Sequence, residues 1–350
     1  MQRFKRAAVV LAVLLVVVTL ATPAFSAEKT FKLKGQTCFG LSSPLGKYTI
    51  VLWKKLVEEM SGGRIVIDLF DAGEVVPPNQ IFEAVSKGVL DFGLNTPAWQ
   101  KGKYPAGDLF YTLPGGVLEF NDLIIWMYGD EGLKLEQEMY GDNVVVFPLG
   151  LTPPEEVWSK RPIKTLDDIK GLKIRTAGLG SELFEKLGAS VVTLPGGEVL
   201  PSLQRGLIDS AEFLDASMDY SLGIHEICKY RFGPPIHMSN NIFQLLIKPA
   251  TWKAFPDDLK AIVKYAAMAA TIQGYSEHWV DAIEANKKIE AAGVITYKLS
   301  KEDQARARKM AMEILDEKAK ADPYFAKVWA SQKTYLEKFK PYSALTTFDD

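Results

Sequence analysis

Cysteine and histidine are both scarce in this chain. Cys38 and Cys228 are its only cysteines, too few for a framework of disulfide staples. So far apart in sequence, they allow one bridge or two buried thiols, and free thiols are the simpler reading. The three histidines, His225, His237 and His278, show no metal-ligand spacing such as His-Glu-x-x-His, so zinc chemistry finds no motif and all three read as structural. Charge of one sign is not in surplus either. The 41 basic and 43 acidic side chains leave a formal net charge of -2, which excludes the basic surface that draws nucleic acid or an anionic membrane. There is no Gly-x-Ser-x-Gly, no Walker loop and no Gly-x-Gly-x-x-Gly between strand and helix, so the common hydrolase and nucleotide-binding templates fail. The pairs Gly115-Gly116 and Gly196-Gly197 fit turns.

What is present begins at the N-terminus. A basic start, Met1 to Arg6, precedes an apolar run from Ala7 to Leu20 and a small-residue exit, Thr22 to Ala27. This three-part pattern predicts a secretory signal peptide cut after Ser26 or Ala27, and hence a mature protein outside the cytoplasm. The run is too short for a spanning helix of about 20 apolar residues, and with no cysteine at the cut there is no attachment point for a lipid.

The remaining chain exceeds what one core usually holds, since single cores stop growing at roughly 250–300 residues, so two lobes are expected. Residues 30–35 alternate like a strand, 46–60 have helical spacing, and 64–70 form a second strand; strand, helix, strand needs a crossover and a parallel sheet. Further strands are predicted at 143–149, 171–176 and 242–247, with a capped turn at 165–170. The chain is mainly helical from Ala250 to about Ala292 and again from Lys301 to Lys320. A short echo links the two halves: Val85-Ser-Lys-Gly-Val-Leu-Asp-Phe-Gly93 recurs in character as Leu203-Gln-Arg-Gly-Leu-Ile-Asp-Ser-Ala211. In each copy glycine closes a helix and an apolar pair opens a strand. The following residues, Leu94 to Pro97 and Glu212 to Asp215, then fall at carboxyl ends of strands, where ligands of open α/β sheets bind. Such turns also recur by chance.

Arg175 stands out among candidate site residues. It ends a predicted strand and precedes the flexible Thr176-Ala-Gly-Leu-Gly180, and its guanidinium is a planar fork matched to a carboxylate. The alternative is pairing with a surface acid. Glu212 follows an apolar strand, where an acid is paired or helps hold a cation, and Phe213 beside it offers an apolar wall. Both also fit a cap and a core aromatic. Phe39, Asn95, Thr96 and Trp158 lie near the same predicted loops, as do Trp99, Tyr104 and Tyr111; Asn240-Asn241 reads as a turn.

Four segments carry a resemblance: Val76 to Asp91, Leu166-Asp-Asp-Ile-Lys-Gly-Leu-Lys-Ile-Arg175, Leu203 to Phe213, and Asp322 to Trp329. Together they resemble the extracytoplasmic solute-binding proteins of TRAP transporters, the DctP family, over essentially the whole mature chain. The resemblance implies an α/β, two-lobed periplasmic-binding-protein fold of type II-like form, with a long helix spanning both lobes and a helical C-terminus. It divides the chain into a signal (1–26), lobe I (27–150, with about 242–283 returning to it), lobe II (151–241, with about 284–325) and a C-terminal helical extension (326–350). It also implies a binding protein, not an enzyme, that passes a small organic acid to the membrane subunits of the transporter, with Arg175 clamping the carboxylate. The nearest branch binds 2-oxo acids and related monocarboxylates and carries Glu-Trp where this chain has Glu212-Phe213. In that branch a cation, Ca2+ or Na+, bridges ligand and protein; here its ligands would be Glu212, the Phe213 backbone and Glu155. The branch's glutamine before Trp158 falls near Pro154-Glu155, and its glutamate near His237 aligns with Met238. Homodimers by exchange of C-terminal helices, here Lys301 to Tyr342, are a further implication. Dicarboxylate or aromatic-acid binding, a periplasmic enzyme and a receptor-docking sensor are the alternatives.

Overall fold

The computed structural model describes residues 29–239 and 241–346; the expected signal segment and Asn240 lie outside the described residues. Eleven strands follow along these residues: β1 (Phe31–Gln36), β2 (Ile65–Phe70), β3 (Phe92–Asn95), β4 (Val145–Thr152), β5 (Val157–Ser159), β6 (Lys173–Arg175), β7 (Ser190–Val192), β8 (Ser210–Glu212), β9 (Tyr230–Gly233), β10 (Asn241–Ile247) and β11 (Ile295–Lys298). They form two sheets, ordered β2-β1-β3-β10-β4 and β11-β9-β5-β8-β6-β7. The chain crosses from the first sheet to the second between β4 and β5 and returns between β9 and β10.

The expected opening unit is present. Strands β1 and β2 pair in parallel from Phe31↔Ile65 to Gln36↔Phe70, with the helix Leu52–Met60 between them burying Trp53 and Val57 against the sheet. The internal echo is structural as well. Gly88 at φ 77° ends the helix Ile81–Ser86 before β3, and Gly206 at φ 73° ends Gly196–Gln204 before β8. Each glycine takes the left-handed conformation that a side chain disfavours. A matching bond follows in both copies: the Val89 N–H donates to Ala84 and the Leu207 N–H to Ser202, at 2.8 and 3.0 Å. The same local device therefore delivers Asn95-Thr96 and Glu212-Phe213 to strand ends. The turn before β6 is capped as expected, the Thr165 and Asp168 side chains each meeting the other's backbone.

The helix Asp257–Ala291 runs 35 residues and packs on β4 and on the helix Leu52–Met60 of one lobe, and on the helix Ala216–Leu222 of the other. It spans both lobes. At Gly274 its backbone lies against the Tyr48 backbone, and a methyl there would lie 1.8 Å from the Tyr48 carbonyl oxygen. The C-terminal helices Lys301–Ala321 and Pro323–Thr346 form a hairpin, and the second buries Phe325, Val328 and Trp329 among Phe110, Trp126 and Leu135. Cys38 and Cys228 are both buried free thiols.

Beneath β10, which lies between β3 and β4, Gln244 donates to Oε1 of Glu136 at 2.5 Å, and Glu136 is only 1% exposed. Burial pushes this carboxyl from 4.5 up to about 7. An acid held protonated in the fold contributes stability that is complete below the unfolded value near 4.5 and is lost as pH rises through about 7. Glu136→Gln is therefore expected to be more stable than the parent at about pH 8, by up to about 3 kcal/mol, with the gain shrinking toward about pH 4.5. Denaturant unfolding at the two pH values checks this; a variant no more stable at the higher pH would refute it.

Candidate functional site

Parallel strands β6 and β8 pair Arg175 with Ala211, so both strands end at the same edge of the second sheet. There the Arg175 guanidinium is anchored on two sides. Its Nε donates to the Leu194 carbonyl at 3.1 Å, and its Nη1 donates to the Glu212 carbonyl at 2.8 Å and to Glu212 Oε1 at 3.2 Å. The Phe213 ring centroid lies 5.8 Å from Cζ, within reach of a cation–π contact. Gly196 leaves the space for that ring: a methyl at this position would come within 2.5 Å of it. Gly196 thus opens the helix Gly196–Gln204 where a simple turn was expected.

Glu155 enters from the crossing between β4 and β5. Asn241 donates from Nδ2 to its Oε1 and, at 3.1 Å, to Thr152 Oγ1. His237, from the opposite crossing, places Nε2 3.5 Å from Glu155 Oε2, and neither of its ring nitrogens has a hydrogen-bond partner. One ligand atom from each of Glu155, Glu212 and His237 lies within 4.8 Å of the others, and all three side chains are buried. Burial pushes the Glu155 and Glu212 carboxyls upward while Arg175 opposes it. Burial pushes His237 down to about 4, so its imidazole is neutral. Two facing carboxyls and a neutral imidazole with unpartnered nitrogens are a donor set that a cation would satisfy.

The first lobe supplies the opposite wall. Tyr111 is buried, and its phenol is pushed up by burial and by the nearby Glu155 and Glu212, against a contact with Thr96. Phe39 and Tyr111 both stand edge-on to Phe243, at 5.3 and 5.6 Å. Ala177, Phe213 and Leu214 of the second lobe pack against this first-lobe cluster. Asn95 is buried at the end of β3, where its Nδ2 donates to Gln100 at 2.8 Å and Gln244 at 3.1 Å.

The structure brings Arg175, Glu212, Phe213 and Glu155 together and sets Thr96 and Phe39 on the facing lobe. Trp158 is not among them. Its ring is fully buried in the core of the second lobe, with the indole N–H donated to Asp219 at 2.6 Å. Three residues of the site went unrecognised in the sequence. His237 has no partner at a telling spacing, Asn241 looked like a turn, and Tyr111 was one aromatic among many. Met238, where the resembled branch has a glutamate, is buried and serves through its carbonyl, which accepts from the Glu155 N–H at 3.4 Å.

The role of Trp158 is testable. Trp158→Phe removes the donor to buried Asp219 and should destabilise the fold by about 1–3 kcal/mol, measured by denaturant unfolding. Affinity for an acid ligand should stay within about twofold of the parent, since the ring is fully buried and its one N–H is committed to Asp219; a larger loss of affinity would return Trp158 to the site.

The model of the bacterial extracellular solute-binding protein family 7 matches residues 37–322. A monocarboxylate 2-oxoacid-binding periplasmic protein of a Nostoc strain is 33% identical over 288 residues, 81% of this chain and 78% of that protein. Two solved TRAP periplasmic solute-binding proteins are each 27% identical with a TM-score of 0.83. That of Pseudoalteromonas atlantica holds sodium and pyruvate and is covered over 100% of its length by 92% of this chain. That of Colwellia psychrerythraea holds calcium and pyruvate and is covered over 97% of its length by 91% of this chain.

Proposed function

Because the chain belongs to the bacterial extracellular solute-binding protein family 7, a family of binding proteins and not of enzymes, we propose that it captures a 2-oxo or 2-hydroxy monocarboxylate between its lobes and delivers it to the membrane subunits of a TRAP transporter. The observation that carries this reading is the guanidinium of Arg175. Backbone carbonyls and Glu212 occupy its Nε and Nη1, while Nη2 makes no hydrogen bond among the described residues. A carboxylate takes that open edge in a charge-assisted pair, and a cleft poor in water strengthens it. Phe213 gives the acid an apolar floor, and Phe39, Tyr111 and Thr96 close over it from the other lobe, with Asn95 bracing the strand end behind Thr96.

Glu212 and Glu155, with the Phe213 carbonyl, would hold a cation, which would offset the two carboxylates and supply positive charge toward the bound acid; the two solved relatives hold sodium or calcium together with pyruvate. Ligand binding then favours the closed arrangement by its differential affinity, and closure is what the membrane subunits read.

Titration of ligand-stripped protein with pyruvate by calorimetry tests this. Arg175→Ala should weaken binding by about 2–5 kcal/mol, at least roughly 30-fold, because it removes one partner of a buried charge pair. The circular-dichroism spectrum should remain that of the parent. Retained affinity in a folded variant would remove Arg175 from the role.

A further inference from the structure

We propose that His237 is a metal ligand in this chain, and that with Glu155 and Glu212 it makes the cation site select a first-row transition dication such as Zn2+ over Na+ or Ca2+. The proposal rests on the preceding reading that a cation is held at Glu212 and Glu155; it concerns which ion this chain's own residues prefer.

Two observations carry it. The first is the imidazole. His237 is fully buried, both of its ring nitrogens lack a hydrogen-bond partner, and Nε2 faces Glu155 Oε2 at 3.5 Å. That separation is long for a hydrogen bond, yet it is close to the roughly 3.4 Å between two ligands of a tetrahedral ion with bonds of about 2.1 Å. A buried nitrogen that bonds to nothing else is costly unless something occupies it. Hard cations draw on oxygen alone, and Ca2+ wants six to eight of them. An imidazole suits zinc and its neighbours in the transition series instead.

The second observation is charge. Arg175 pairs with the carboxylate of the bound acid, and these two cancel. The remaining charges, Glu155 and Glu212, lie within 4.8 Å of each other among buried groups. A dication brings the site to neutrality, whereas Na+ leaves one negative charge buried and unpaired, which a low-dielectric interior penalises.

The test uses the full chain stripped with a chelator and then titrated with Zn2+, Co2+, Ca2+ and Na+, each with and without pyruvate. Calorimetry gives affinities and stoichiometry, and the visible bands of Co2+ report nitrogen coordination. One equivalent of Zn2+ or Co2+ is expected, bound at least tenfold more tightly than Ca2+. His237→Ala should lower Zn2+ affinity by at least about 10–100-fold, the loss typical even of groups that only support a ligand, and should alter the Co2+ spectrum. His225→Ala should change neither. If His237→Ala fails to fold, His237→Asn replaces the nitrogen with an amide oxygen and should shift preference toward Ca2+. Zn2+ binding no tighter than Ca2+ in the parent, or unchanged in a folded His237 variant, overturns the proposal. Pyruvate binding supported by Ca2+ or Na+ in that case leaves the transport reading standing. Failure of pyruvate to bind with any of the cations strikes that reading instead.

Discussion

The cost of burying charge organises this molecule. A guanidinium and two carboxyls are enclosed at the edge of the second sheet, and each must be compensated inside the protein because little water reaches it. The surrounding structure follows from that requirement. Parallel pairing of β6 and β8 brings Arg175 alongside Ala211 and the Glu212 carbonyl within its reach. The loop at Leu194 turns its carbonyl to Nε, and Asn241 is committed to Glu155. These bonds hold Arg175 in one rotamer, so its open edge is already oriented before a ligand arrives. Such preorganisation reduces what binding must spend on ordering side chains.

Much of the fold was legible because its signals are local. The strand–helix–strand opening shows in the shift from alternating to helical spacing, and the long helix shows in an extended stretch with few breakers. The echo around Gly88 and Gly206 was readable for a stereochemical reason: only glycine sits easily at the positive φ that ends both helices. Arg175 and Glu212 were legible because each ends a short apolar strand.

Residues that depend on long-range pairing were harder to see. Trp158 follows Glu155 by three positions and stands in register with Ala211, as Arg175 does on the other side of β8. Only the fold shows that its indole N–H is committed to Asp219, 61 positions away, and its ring to the core of the second lobe. His237 presents the converse case. Nothing near it in sequence marks a ligand, and its two acidic neighbours are 82 and 25 positions away, so only the fold joins them. Met238 falls at the position where the resembled glutamate was expected, while the side chain that faces the acids belongs to the residue before it.

The position of these residues relative to the crossings ties binding to motion. Glu155 lies on the segment that leaves the first sheet after Thr152, and His237 on the segment that returns to it before Asn241. Asn241, which opens β10, is bonded at once to Thr152 at the end of β4 and to Glu155. The two crossings are therefore joined to each other through the same polar groups that meet the acids of the second lobe. Rotation of one lobe against the other must change the backbone of both segments, and with it the distances among Glu155, Glu212 and His237. A ligand that needs those distances at one value favours one lobe arrangement, and the energy it supplies is limited to its preference between the two. Arg175 and Glu212 stay on strand ends of the second sheet, while Glu155 and His237 are carried on the segments that must bend, so recognition and closure share these two residues.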